Sequence, residues 1–174
     1  NHINDMDQPE MMPLLAEFRE ILDAYPERYA VGETFLATQE RAAGYCGENA
    51  LHAAFDFEFT HNGYRPSAFA KRIREWEHTL GEIWPNYVLN NHDVPRSATR
   101  YTRGEKDERL FVLAAMLLTL RGTPYLYYGE EIGMRDIPVK RKADVQDPVG
   151  KRYWPLYKGR DGCRSPMQWT AEAQ

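Results

Sequence analysis

The chain is short of the features that would place it outside ordinary globular proteins. It has two cysteines in 174 residues, Cys46 and Cys163, too few for a disulfide framework, and no Cys/His cluster has zinc-ligand spacing. Both thiols are expected to be unpaired, which suits a reducing, cytoplasmic compartment. Charge of one sign is scarce too: the net charge is −4, which gives no basis for nucleic acid or an anionic membrane as a partner. No apolar run is long enough for a bilayer. The longest, Leu110 to Leu120, is about half of the roughly 20 residues a span needs and is expected to be a buried helix. The N-terminal "NHINDMDQPE" is polar and acidic, unlike a signal peptide, and it lacks an initiating Met. The chain is expected to begin partway through something larger. No internal repeat or low-complexity segment is present.

What is there is a core-forming composition, 43% hydrophobic and 13% aromatic, with alternating patterns. Gln8 to Tyr25 places Leu14, Leu15, Phe18, Ile21, Leu22 and Tyr25 on one helical face, and Ser67 to Gly81 does the same with Phe69, Ile73, Trp76 and Leu80. Arg109 to Arg121 is the apolar helix. Between these lie strand-like runs at Tyr29–Val31, Leu51–Phe59 ("LHAAFDFEF"), 86–93 ("NYVLNNHD") and 123–131 ("TPYLYYGEE"). The clearest of them end in polar groups: Glu33, His92-Asp93 and Glu130-Glu131. Strand and helix in alternation predict parallel strands with helical crossovers, whose C-terminal ends line an active-site mouth. After residue 135 the periodicity stops, and a stretch rich in Pro, Gly, charge and aromatics is expected to form a long loop or insertion, 135–174, over that mouth. Four repeats fit in the chain where a closed barrel takes eight. The fold class is therefore α/β, the second half (about strands five to eight) of a (β/α)8 TIM barrel, with the N-terminal half absent.

A carboxylate after a strand is weak evidence of chemistry, since Glu33 could be solvated and Asp93 could cap the turn before Pro95. The combination carries more. Two carboxylates at strand ends, with His92, Arg96 and aromatic side chains nearby in sequence, suit glycosidic cleavage, which needs one acid for the leaving oxygen and other carboxylates for an oxocarbenium-like centre.

"AVGETF" resembles the region around the general acid of the α-amylase superfamily, glycoside hydrolase family 13, and "NNHDVPR" resembles that family's His-Asp signature. The resemblance continues through "GTPYLYYGEEIGM" and "DPVGKRYWPLYKGRDGCRSPMQW", the latter similar to α-glucosidases and oligo-1,6-glucosidases. "DQPE" looks like the segment before the fifth strand in those enzymes. The resemblance implies Glu33 as acid/base, Asp93 as the carboxylate that holds the sugar hydroxyls and stabilises the transition state, His92 as a donor to the same hydroxyls, and Arg164 as a binder of the terminal glucose. Ser165 stands where the family often has Thr. For Arg96 a salt bridge within its loop and a substrate contact are both open. Phe55, Tyr127, Tyr128 and Trp169 are expected in the core, Glu130 and Glu131 as shaping the last strand's end, and His52 as a satisfied core histidine.

The family's nucleophile, an Asp in a "GFRxD"-like motif, has no counterpart. The first 28 residues offer Asp5, Asp7 and Asp23, all before the first strand. The implied function is retaining hydrolysis of α-glucosidic bonds at the non-reducing end of short α-glucosides, by a chain that is inactive alone. A transglycosylating or isomerising relative (trehalose synthase, sucrose isomerase) and a non-catalytic relative of the transporter heavy-chain type are the alternatives. No cofactor or metal is expected. The partners are a small oligosaccharide substrate and the missing half of the same barrel, without nucleic acid or membrane. Linkage preference and calcium binding depend on segments not in this chain.

Overall fold

A computed structural model of the chain describes residues 6–36, 38–102 and 107–170. Asp5 lies outside the described residues, as do the last four positions of the expected 135–174 insertion. The chain divides into two compact units, one of residues 1–87 with 121–124 and the other of 88–120 with 125–174.

In the first unit, α1 (Met11–Asp23) follows the expected periodicity, but Leu14, Phe18 and Ile21 on its apolar stripe are exposed. The strand β1 covers Val31–Gly32 and β2 covers Ala53–Ala54; they pair in parallel, Val31 opposite Ala53 and Gly32 opposite Ala54. The short helix α2 (Gln39–Ala43) lies in the connection, capped by Thr38, whose hydroxyl accepts the Arg41 N–H at 3.3 Å. The "LHAAFDFEF" run is thus a strand for two residues only. A 3-10 turn takes over at Phe57–His61, because Asp56 is drawn inward to Gln39 (2.6 Å) and Phe59 turns into the core. There it meets the rings of Phe69 at 5.2 Å and Tyr87 at 5.3 Å. Helix α3 (Pro66–Leu80) begins on a proline, whose missing N–H costs nothing in a first turn, and buries Phe69, Trp76 and Leu80.

The strands β3 (Asn86–Val88) and β4 (Thr123–Tyr125) form a second pair; in the first unit the Thr123 N–H donates to Pro85 O at 2.9 Å. Both are shorter than their apolar runs, and each chain segment then passes into the second unit.

That unit contains α4 (Ser97–Thr102), which the alternating pattern did not reveal, and α5 (Glu108–Thr119) packed on it. Ser97 and Asn90 exchange hydrogen bonds at 2.6 and 2.7 Å, closing the turn that starts α4. Helix α5 is not the buried helix expected from its composition: Leu113 and Leu117 are buried, whereas Phe111, Val112 and Leu118 are 74%, 60% and 58% exposed. An apolar sequence shows what a helix would bury, and the second unit covers only one of its faces. Beyond β4, residues 135–170 are not purely loop. They contain α6 (Pro148–Tyr153), capped by Asp147 Oδ1 on the Val149 N–H at 2.9 Å, and they bury Val145, Asp147 and Cys163. Among the described residues no helix is long and apolar enough to cross a membrane.

Candidate active site

Glu33 is presented by the first unit. Strand β1 ends at Gly32, held by the Phe55 N–H on its carbonyl at 3.1 Å, and the next side chain emerges exposed. The strand is fixed upstream as well: His52 Nδ1 accepts the Ala30 N–H at 3.0 Å. His52 is therefore satisfied, as expected. Burial, with help from the Arg19 charge, lowers its pKa. Asp56, just after β2, is a different kind of carboxylate. It is buried, and burial raises its pKa to about 6 despite the Gln39 hydrogen bond and the Arg72 charge. The spare aspartates of this unit are engaged: Asp7 accepts from Tyr45 Oη at 2.9 Å and pairs with Arg41, and Asp23 pairs with Arg19 at 2.9 Å.

The second unit gathers His92, Asp93 and Arg164. Asn91 Oδ1 accepts the backbone N–H groups of Asp93 (2.8 Å) and Val94 (3.1 Å), forming the turn that carries Asp93. Two guanidinium groups converge on Asp93 Oδ1, Arg160 Nη1 at 2.7 Å and Arg164 Nη2 at 2.9 Å. His92 Nε2 lies 3.4 Å from Oδ2, and Arg164 Nε donates to the His92 carbonyl at 2.9 Å. Partial burial pushes the Asp93 pKa up, but the Arg160, His92 and Arg164 partners outweigh it and hold the carboxyl below its usual range. The result is a half-exposed carboxylate kept ionised, with one oxygen engaged by arginine.

Arg160 was not singled out from the sequence. A signal existed: "GRDGCR" places two arginines four residues apart. What could not be read is that both reach back about seventy positions to one carboxylate. Arg96 departs from the substrate-contact reading. It is 1% exposed, its guanidinium lies 4.9 and 4.7 Å from the ring centroids of Tyr127 and Tyr128, and its Nη1 donates to the Tyr128 carbonyl at 2.6 Å. This geometry is that of a packed core cation, closed off from solvent. Tyr127 and Tyr128 are half-buried or at the surface edge, with hydroxyls on the carbonyls of Cys163 (3.2 Å) and Ser165 (2.6 Å). Trp169, expected in the core, is 79% exposed. Glu130 is half-buried and shapes its turn, accepting from Ser97 Oγ and the Tyr127 N–H.

The family model of the alpha amylase catalytic domain matches residues 1–174. The chain belongs to the alpha-amylase family. Among its curated relatives, a probable alpha-glucosidase of Rhizobium meliloti (strain 1021) is 35% identical over 98% of the chain and 32% of its own length. The oligo-1,6-glucosidase of Parageobacillus thermoglucosidasius is 33% identical over 94% of the chain and 35% of its own length. Among solved structures, the alpha-glucosyl transfer enzyme XgtA is 37% identical and superposes with a TM-score of 0.88, over 94% of this chain and 31% of that one. The fold is accordingly that of part of a (β/α)8 barrel. The chain spans about a third of the length of the relatives it matches.

Proposed function

We propose that this chain supplies strands five to eight of the catalytic barrel of a retaining α-glucosidase acting on short α-linked glucosides. Glu33 protonates the glycosidic oxygen and then deprotonates the water that releases the sugar; Asp93 holds hydroxyls of the reacting glucose and stabilises its oxocarbenium-like transition state. His92 and Arg164 grip the same sugar. The observation that carries this reading is the Asp93 cage: a carboxylate held ionised by Arg160 and Arg164, with His92 beside its second oxygen. An ionised acid of that kind suits a cationic transition state. The nucleophile lies in the half of the barrel outside this sequence, and the 135–174 segment borders the mouth.

The test is hydrolysis of aryl α-glucosides by the protein that carries this chain together with the rest of its barrel. Glu33→Gln is expected to lower kcat by about 10² to 10⁴-fold, the usual contribution of a positioned general acid, and Asp93→Asn to lower kcat/KM comparably. Activity within twofold of the parent in either variant would overturn the assignment. The chain by itself is expected to be inactive and to self-associate through exposed apolar side chains such as Phe111 and Leu118; light scattering of the isolated chain reads this directly.

Transfer of glucose to an acceptor other than water is the second reading, favoured by the 37% identity to a structure described as an alpha-glucosyl transfer enzyme. Product analysis with a sugar acceptor present separates the two.

A further inference from the structure

We propose that Asp147 and Arg160 are a positioning pair that fixes the Asp93 carboxylate, leaving its Oδ2 for a sugar hydroxyl. The inference rests on the role proposed for Asp93 and adds to it the groups that hold that role in place.

Arg160 bridges two carboxylates. Its Nη1 donates to Asp93 Oδ1 at 2.7 Å, while its Nε donates to Asp147 Oδ2 at 2.9 Å. A guanidinium is a rigid planar fork, so two anchors on different edges fix its plane as one anchor could not. Asp147 is suited to be the fixed end. Its side chain is fully buried. Oδ1 takes the Val149 N–H at 2.9 Å, and Oδ2 takes the Arg160 N–H at 3.0 Å as well as the side chain. Its own N–H donates to Asp161, 3.1 Å from Oδ1. The Arg160 contacts, ahead of burial, hold the Asp147 carboxyl down at about 2. Buried and ionised, it has Arg160 as its only ion-pair partner among the described residues.

The charged and titratable groups facing Asp93 within the unit are Arg160, Arg164 and His92. Arg164 is itself committed to the His92 carbonyl through Nε. With Arg160 gone, Asp93 would keep one arginine and gain freedom to turn about its side-chain bond. The pair is thus a brace: it touches no substrate, and its effect reaches the reaction through the orientation and charge of Asp93.

A purely structural alternative exists, since Asp147 also caps α6. Asp147→Asn separates the two, because asparagine caps a helix as well as aspartate but carries no charge for Arg160. In the protein that carries this chain with the rest of its barrel, Arg160→Ala is expected to lower kcat/KM by tenfold or more, about what one charge-assisted hydrogen bond supplies. The loss should fall on kcat more than KM, as for an interaction felt in the transition state. Asp147→Asn should lower it about tenfold, Arg160→Lys should recover only part, and Asp147→Asn added to Arg160→Ala should change nothing beyond about twofold. Losses that multiply in the double variant, or Asp147→Asn with unchanged kcat/KM and a lower Tm alone, would overturn the proposal. Carboxyl ¹³C titration of Asp93 supplies a readout independent of turnover: its midpoint should rise in Arg160→Ala and in Asp147→Asn. If the parent hydrolyses no α-glucoside, the functional reading fails, and this titration still decides the brace, an unmoved midpoint in both variants sinking it.

Discussion

The two units deliver their acidic groups by opposite means. Glu33 is placed by backbone: a two-strand parallel register, a glycine at the strand end and a histidine tied to the strand's start. Asp93 is placed by side chains, through two arginines roughly seventy residues downstream, of which Arg160 is in turn tied to a buried aspartate and Arg164 to the His92 carbonyl. Backbone placement aims a side chain and leaves its charge to the surroundings. Side-chain placement fixes orientation and charge together, at the cost of relying on distant sequence.

The contrast extends to acid and base behaviour, and the largest effect outside turnover is expected there. Asp56, in the first unit, has its pKa raised by burial from 3.8 to about 6. A raised carboxyl favours folding when protonated, so its contribution is complete below about 3.8 and is lost as pH rises through about 6, up to about 3 kcal/mol in all. Asp147, in the second unit, is lowered to about 2 by Arg160. Its contribution is present above about 3.8 and is lost as pH falls through about 2. Native-state hydrogen exchange, corrected for intrinsic rates, should show the Phe55 amide losing protection from pH 4 to 6 and the Ile137 amide losing it toward pH 2; these donate to Gly32 O and Gly162 O. Asp56→Asn should flatten the first profile and leave the second. Parallel profiles in both units would erase the contrast.

How much of this was legible follows from the same division. The alternation of apolar runs and helical stripes exposed α1, α3 and α5 and the strand sites, because periodicity is a local property. Strand lengths were not legible. Phe57 and Phe59 look like strand residues, and it is the inward pull of Asp56 toward Gln39 that turns the backbone there. Helix α6 was hidden because Pro and Gly in "DPVGKRY" suggest a loop, although Pro at a first turn behind an Asp cap also starts a helix. Glu33, His92, Asp93 and Arg164 were proposed as site residues through motif resemblance, and the last three lie together in the second unit. Arg160 and Asp147 were missed because a brace is defined by contacts across sixty-seven and thirteen positions, which no local pattern encodes. Arg96, left open between a loop salt bridge and a substrate contact, shows the opposite case: close to His92 and Asp93 in sequence, it is folded under Tyr127 and Tyr128.

A substitution at Gly32 tests backbone placement alone. A Cβ there would overlap Leu51 Cδ1 and approach Thr34 Cγ2 at 3.2 Å. Leu51 belongs to the segment leading into β2 and meets the new Cβ with the end of its half-buried side chain, so relief comes from turning that side chain or from shifting the β1–β2 pair. Gly32→Ala is expected to destabilise the protein by about 2 kcal/mol, read by urea unfolding, and to lower kcat because Glu33 is the next residue. Asp93's carboxyl titration should stay where it was. A shift of that titration would mean the two placements are coupled.

The smallest effect on the Asp93 carboxyl is expected from Gly159, the matching position behind the brace. Its φ is +81°, and an added Cβ would lie 2.8 Å from Asp147 Cβ and 3.2 Å from Asp147 Oδ2. Alanine is strained in that conformation, and the crowding falls on the aspartate that anchors Arg160. Gly159→Ala should cost about 2 kcal/mol of stability by urea unfolding and raise the Asp93 titration midpoint by less than Arg160→Ala does, because the guanidinium is displaced and not removed. Glu33-dependent steps should keep their pH profile. A variant as stable as the parent with an unmoved Asp93 midpoint would show that the strap between Asp147 and Arg160 yields freely, and the rigidity attributed to it would then have to come from Arg164.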